Sequence, residues 1–516
     1  MTHEKQGTML ETKDEVTTTA EPPAKKSKAP AQVERLGTAK ISKLMVEFAI
    51  PSIIGLVVNG LYNIIDSIFM GHAMEGIGLA TAQIATPIMI FSMAVGVLIG
   101  AGGNALAALR LGEGKHDEAE RVMGNAFSLT IIAGVLCTAL VLVFIDPVLT
   151  LSGAKEDLWE PSHVFVRIIS FGFVLQFFGM AFNNFIRTAG DPNRALYTMV
   201  VGTVACIILN FFFVMVFGWG VAGSAWATVI GQGVSAFMML WYFTFSKKAP
   251  FKLRLPCLKL KRRLVTRIFM LGAAAFVLQS ANAIIGILLN QQMGIYGALS
   301  GLAATPDESV TAVLAAIGVV QRIAMFTFFP ILGVAMAAQP LFGYNYGASS
   351  FDRVKATFKV SFAWIMGIGI FFWILVHLFP NQIVNLFGVT GELQHFTVIV
   401  LQVQLFLIPF MGLQVISANY FQSTGQPLKS MLLSLTRQVL YLIPLLYGLP
   451  LLMPLISPSF RGVDGLYYAF PIADLLSVAT ATIMMVLEFK KLNAKIATSA
   501  DKNASALAVE KPAINA

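Results

Sequence analysis

Charge is what this chain has least of. Of 516 residues only 12% are Asp, Glu, Lys or Arg, where an ordinary soluble domain carries about 25%. That deficit, with 56% hydrophobic residues and a mean hydropathy of +0.74, excludes a chain whose surface faces mainly water. Cysteine is nearly absent too. Cys137, Cys206 and Cys257 stand far apart, which excludes a disulfide framework or zinc spacing; they read as membrane-packed or free thiols. No GxxxxGK(S/T) stretch is present to cradle ATP, and no HExxH or paired His/Cys cluster to hold a catalytic metal. The apolar–polar alternation of a membrane β-strand is also missing: VLCTALVLVFI and GIGIFFWILV are apolar on every side. Residues 1–35 contain no apolar core, so no cleavable signal peptide is expected.

What is present is apolar runs of 18 residues or more, repeated along the chain. Such runs read as membrane helices. Polar breaks divide them into twelve spans near 44–70, 77–109, 121–146, 161–187, 195–217, 221–245, 264–293, 309–343, 355–379, 394–422, 428–454 and 464–489. The net charge of +9 is concentrated in alternate loops, and Lys247 to Arg263 holds eight basic residues and no acidic one. That distribution fits cytoplasmic loops flanking a membrane rather than nucleic-acid binding, and it places both termini in the cytoplasm of a cell-membrane protein. The expected organisation is a disordered tail at 1–40, a first lobe at 41–246, a basic linker at 247–263, a second lobe at 264–493 and a disordered tail at 494–516.

The lobes are copies. NNFIRTAGDPNRA at 183–195 returns as ANYFQSTGQPLKS at 418–430, with every matched pair separated by 235 residues. The same offset pairs Gly112 with Gly347, Asp117 with Asp352 and Gly153 with Gly388. Six spans per half is an even number, so the halves are parallel repeats related by an axis along the membrane normal, a symmetry common among secondary transporters.

Polar side chains inside spans are costly and mark function. Asn59, Tyr62, Asn63 and Asp66 fall at i, i+3, i+4 and i+7 of the first span, on one helix face. Asp66 lies roughly 30 Å along the helix from Leu44, in the outer half of the bilayer. A poorly solvated carboxylate there can exchange a proton, hold Na⁺ or attract a cationic substrate. In the second half, Arg322, Arg437 and Asp474 are weaker charged candidates within spans, and opposite charges in one lobe are most simply a structural ion pair. Gln279 and Asn282 put a polar stripe on the seventh span. Asn59, Gln279, Asn282, Arg322 and Asp474 are the candidates for substrate contact.

The set of motifs resembles the multidrug and toxic compound extrusion (MATE) family, within it a MepA-like branch. YNIIDSIFMG, LGEGKHDEA, RTAGDP, GWGVAGSAWAT, AAQPLFGYNYG, QSTGQP, LTRQVLYLIPLL and FPIADLLS carry the likeness, which covers residues 40–490. It implies an all-α polytopic fold in which two six-helix lobes form a V-shaped cleft. It also implies export of amphipathic, often cationic compounds by antiport with H⁺ or Na⁺. The family's first-lobe pocket maps onto Tyr62, Asp66, Cys206, Asn210 and Thr228. Cys206 replaces an Asn of some members, and Asn210 a second carboxylate, leaving Asp66 the pocket's sole acid and one ion per cycle the natural limit. The acids that some members use in the second lobe are missing, since Asn282 stands at one position and no acid lies near Leu413.

The expectation is therefore a monomeric, membrane-embedded exporter without a cofactor, whose partners are small amphipathic cations and membrane lipid, with no nucleic acid. The rival reading is a lipid-linked or polysaccharide flippase, which needs unpaired arginines in the cleft for phosphate. A remoter rival, an integral-membrane enzyme, needs converging catalytic groups, and none shows a recognisable spacing.

Overall fold

The computed structural model describes residues 31–73, 77–152, 156–246, 249, 252–302, 305–387, 389, 391–457 and 460–510. Most of residues 1–40, the Gly153/Gly388 pair, and parts of the basic linker and of the C-terminal tail lie outside the described residues. The described chain is helical throughout, as it must be where lipid offers no partner for backbone N–H and C=O groups. Ten helices are long and apolar enough to cross a membrane, or twelve if each of two bent pairs counts as one span. In order these are Ile41–Ala73, Ile77–Gly112, His116–Val143, the bent pair Glu156–Phe171 and Phe173–Thr188, then Pro192–Asn210 and Gly220–Phe245. The second half follows with Arg262–Ala298, Pro306–Gly347, Phe351–Leu378, the bent pair Glu392–Gln404 and Ile408–Ser423, Pro427–Ile456 and Gly462–Glu510. They are called spans 1 to 12 below.

Local sequence explains the ends. Span 5 opens with Asp191 accepting from the Arg194 backbone N–H and Pro192 in the first turn. Span 8 opens with a Thr305/Glu308 capping box and Pro306. Both arrangements satisfy backbone donors that a helix start leaves bare.

The repeat is conformational as well as sequential. Span 4 bends by 48° between Phe171 and Phe173, and span 10 by 46° between Gln404 and Ile408. Gly190 and Gly425, one repeat apart, both take positive φ, as do Gly114 and its counterpart Ser349. Asn183 Nδ2 donates to the Ala195 carbonyl, and in the other half Ser430 Oγ donates to the Ala418 carbonyl. The same two positions are tied, with the donor on the opposite side.

The halves meet along spans 1, 2, 7 and 8. Asn104 Nδ2 donates to Gln339 Oε1 at 3.0 Å, and these residues are one repeat apart. Equivalent residues in contact must straddle the pseudo-two-fold axis. Nearer the terminal end the contact is reciprocal. Gly112 lies against the Tyr344 carbonyl and Gly347 against the Leu109 carbonyl, leaving no room for a Cβ at either glycine. The lobes are thus closed against each other at the end that carries the termini.

The described parts of both expected tails are largely helical. Ala31–Thr38 is a helix. One repeat later the chain is the start of span 7, so this segment has an ordered counterpart. Val33 joins the core of the first half and Leu36 that of the second, and both are buried. At the other end span 12 runs on to Glu510, because neither Gly nor Pro interrupts the chain between Pro471 and Pro512 and Ala recurs. Spans 4 and 10, expected as single helices, are each broken.

Candidate functional site

Spans 1, 5 and 6 converge on Asp66. Its Oδ1 accepts from Asn210 Nδ2 at 2.7 Å and from Ser224 Oγ at 2.9 Å. One turn earlier, Tyr62 Oη and Thr228 Oγ1 are 2.8 Å apart. Ser224 and Thr228 are four residues apart on span 6, so one helix face supplies both hydroxyls. Asn210 closes the α-helical part of span 5, and a π-helical segment, Phe211–Val216, follows at once. Such wide turns often accompany functional sites.

Asn210, Ser224 and Thr228 are buried. Asn210 Oδ1 is a buried acceptor with no partner among the described residues. Cys206 closes the back of the site, its thiol 3.9 Å from the Thr228 carbonyl. The site therefore holds one carboxylate oxygen with two donors, one unsatisfied amide oxygen and two further hydroxyls. These are hard oxygen ligands around a single acid.

Of the expected coupling residues, Tyr62, Asp66, Asn210 and Thr228 are brought together. Asn63 is in the same helix, but its side chain lies outside the described residues. Asn59 is exposed on span 1. Ser224 was not expected. The signal was available in GSAWAT, where Ser224 precedes Thr228 by one turn.

The equivalent helices of the second half, spans 7, 11 and 12, carry a second polar group. Arg437 Nε donates to Asp474 Oδ1 at 2.5 Å, and Asp474 is 1% exposed. The neighbouring Gln438 donates to Asn282 Oδ1 at 2.7 Å, and Asn282 faces Gln279 Oε1 at 3.5 Å. Arg437 and Gln438 both sit in a π-helical segment, Thr436–Leu442. Arg437 and Asp474 thus neutralise each other. Arg322 stands apart, exposed and without a polar partner among the described residues. The requirement of the flippase reading, two unpaired arginines, is not met at Arg437.

A sequence model of the family described as MatE matches residues 51–212 and 310–447. The chain is similar to the multidrug export protein MepA of Staphylococcus aureus (strain MSSA476), 23% identical over 452 residues, covering 87% of this chain and 94% of that protein. It is similarly related to MepA of Staphylococcus saprophyticus, at 22% over 451 residues. Among solved structures, a multidrug resistance MATE family transporter of the MOP superfamily in its outward-facing conformation superposes with a TM-score of 0.82 at 22% identity, covering 90% of this chain and all of that one. A MOP superfamily transporter from Pyrococcus furiosus, described as having a binding pocket of reversed polarity, superposes with a TM-score of 0.81 at 22% identity over the same share of each chain.

Proposed function

The chain belongs to the MatE family, and from that membership we propose that it is a secondary multidrug exporter, expelling amphipathic cations by antiport with H⁺ or Na⁺. The observation that carries the reading is the Asp66 site. An ionised Asp66 suits the two donors it now accepts from. A proton or Na⁺ arriving there changes that pattern, because a protonated carboxyl becomes a donor and a sodium ion draws oxygens toward itself. Asn210 Oδ1 is the acceptor waiting for either. Since the bonds tie span 1 to spans 5 and 6, ion binding alters the packing of the first lobe.

The mechanism follows from the two-lobe layout. With the terminal end closed, the ion enters from the opposite side, loads Asp66 and favours parting of the lobes at the terminal end. Release there lets an amphipathic cation bind, and the return movement exports it. Each charge driven by the membrane potential supplies about 2.3 kcal/mol per 100 mV. Substrate and ion shift the two-state equilibrium only by their differential affinity for its two states. The basic loops support a cell-membrane protein with both termini in the cytoplasm. The Asp66 site and the seam between the lobes both lie within one chain, which supports a monomer.

The test is efflux of a fluorescent lipophilic cation from proteoliposomes under an imposed pH or Na⁺ gradient. We expect Asp66→Asn to bind the dye but lose gradient-driven transport, and the gradient that drives wild type names the ion. Normal pumping by Asp66→Asn would remove Asp66 from coupling. Failure of wild type to move any cation under either gradient would overturn the export reading.

A further inference from the structure

Arg187 lies in the last turn of span 4, within the phrase that the chain repeats. Its position beside the GDP turn suggests a loop arginine, yet it is helical and 2% exposed. Its guanidinium meets poor acceptors. Nη1 is 3.4 Å from Asn184 Oδ1 and 3.7 Å from Met336 Sδ, and Nη2 is 3.8 Å from Met199 Sδ. No carboxylate pairs with it among the described residues. Thioethers are weak acceptors, and a buried charge without a counter-ion is costly. In this state the charge does nothing for stability.

The repeat supplies the control. One repeat later stands Gln422, also buried. Gln422 Nε2 donates to the Leu271 carbonyl at 2.8 Å, and its Oε1 accepts from Gln339 at 3.2 Å. A neutral side chain fills the structural role at this position of the fold. The charge at 187 therefore serves something else.

Location says what. Met199 belongs to the same lobe, but Met336 is on span 8, in the opposite one. By helical rise Met199 is about 10 Å in from Pro192 and Met336 about 16 Å in from Gly347. The guanidinium thus sits in the seam, inside the closed terminal end, covered by the other lobe's methionine. When the lobes part at that end Met336 leaves with its lobe, and a planar, forked donor faces the opened cleft between adaptable thioether walls. That fork matches an oxyanion with two bonds.

We propose that Arg187 is a substrate-recognition residue of the cleft open at the terminal end, binding the carboxylate of zwitterionic amphiphiles. Closure exchanges that carboxylate for Met336, a weaker partner, and so detaches the acidic group as the cleft turns outward. The inference rests on the lobes parting as the proposed export requires, and the experiment separates the two.

Two forms of one rhodamine dye serve as probes, the cationic ethyl ester and the zwitterionic free acid. Transport is measured in proteoliposomes, and binding by fluorescence anisotropy on full-length protein in detergent, for wild type, Arg187→Gln and Arg187→Lys. Arg187→Gln copies what the second half already carries, so it is expected to fold. It should weaken binding and transport of the free acid about tenfold or more, the effect that losing even one of the fork's two charge-assisted bonds produces, and leave the ester unchanged. Arg187→Lys, keeping charge but not the fork, should fall between. Equal effects on both dyes, no effect on either, or a wild type that carries ester but never binds acid would each overturn the proposal. If wild type moves neither dye yet binds the acid in an Arg187-dependent way, the export reading falls and the recognition role stands.

Discussion

At the residue scale, the Asp66 site divides into what the sequence displays and what it hides. The face formed by Asn59, Tyr62, Asn63 and Asp66 is visible because a carboxylate inside an apolar run is conspicuous and helical spacing is simple arithmetic. Ser224 is inconspicuous, since a serine in a membrane helix usually returns its proton to a carbonyl one turn back and means little. Here it donates to Asp66 instead. Arg187 is hidden for the opposite reason: arginine before a turn reads as solvated, and only packing shows it buried. Replacing Ser224 by Ala removes one of two donors to the carboxylate without creating a large cavity. Hydrogen bonds to charged groups are worth about 1.5–3 kcal/mol, so Ser224→Ala should weaken the dependence of efflux on the driving ion about tenfold or more, with thermal stability little changed. Unchanged ion dependence in the proteoliposome assay would take Ser224 out of the site.

At the element scale, span count and order were legible from hydropathy, because length and apolarity alone decide what crosses a bilayer. Breaks were legible only in part. Pro409 and Pro444 directly follow the bend at Leu405–Leu407 and the π-helical segment Thr436–Leu442, and Gly172 stands at the other bend. Pro51, Pro87, Pro330 and Pro340 lie within unbroken helices, so a proline marks a candidate without choosing the break, and the π-helical segment Phe211–Val216 changes hydrogen-bond register rather than composition. The sequence of Ala31–Thr38 reads as tail because its surroundings are polar. What orders it is tertiary: Arg353 Nη2 donates to the Leu36 and Ala39 carbonyls at 3.1 and 2.7 Å, and Asn345 Nδ2 donates to the Leu36 carbonyl at 3.1 Å. These bonds satisfy carbonyls that a helix end leaves bare. With Val33 in one core and Leu36 in the other, the helix bridges the seam. Arg353→Ala should free it and loosen closure at the terminal end. Amide hydrogen exchange in residues 104–113 and 339–348 is expected to quicken about tenfold, the shift that roughly 1.4 kcal/mol produces. Exchange unchanged there would mean that the helix is a passenger.

For the whole molecule, the 235-residue offset predicted two parallel halves, and the structure repeats its bends, its positive-φ turns and its short helices Ile145–Leu151 and Pro380–Asn385 at that spacing. Sequence offers no way to see where the symmetry axis runs. The Asn104–Gln339 bond and the reciprocal contacts of Gly112 and Gly347 locate it between spans 2 and 8. Two consequences follow. Contacts on the axis are made by both lobes at once, so they break only when the lobes part. Contacts related by the axis are also equivalent, so matched substitutions should act alike. A Cβ at either glycine meets a backbone carbonyl, which cannot rotate away as a side-chain tip can. Gly112→Ala and Gly347→Ala should therefore each hold the terminal end apart and favour the state open there, to a similar extent. Spin labels at the exposed, symmetry-related Asp117 and Asp352 report the separation. We expect a longer distance population to grow in both variants, with outward-driven efflux slowed in both because closure at this end is a step of every cycle. A shift in one variant alone would mean that the axis does not govern closure, and a shift in neither would mean that the seam yields without opening.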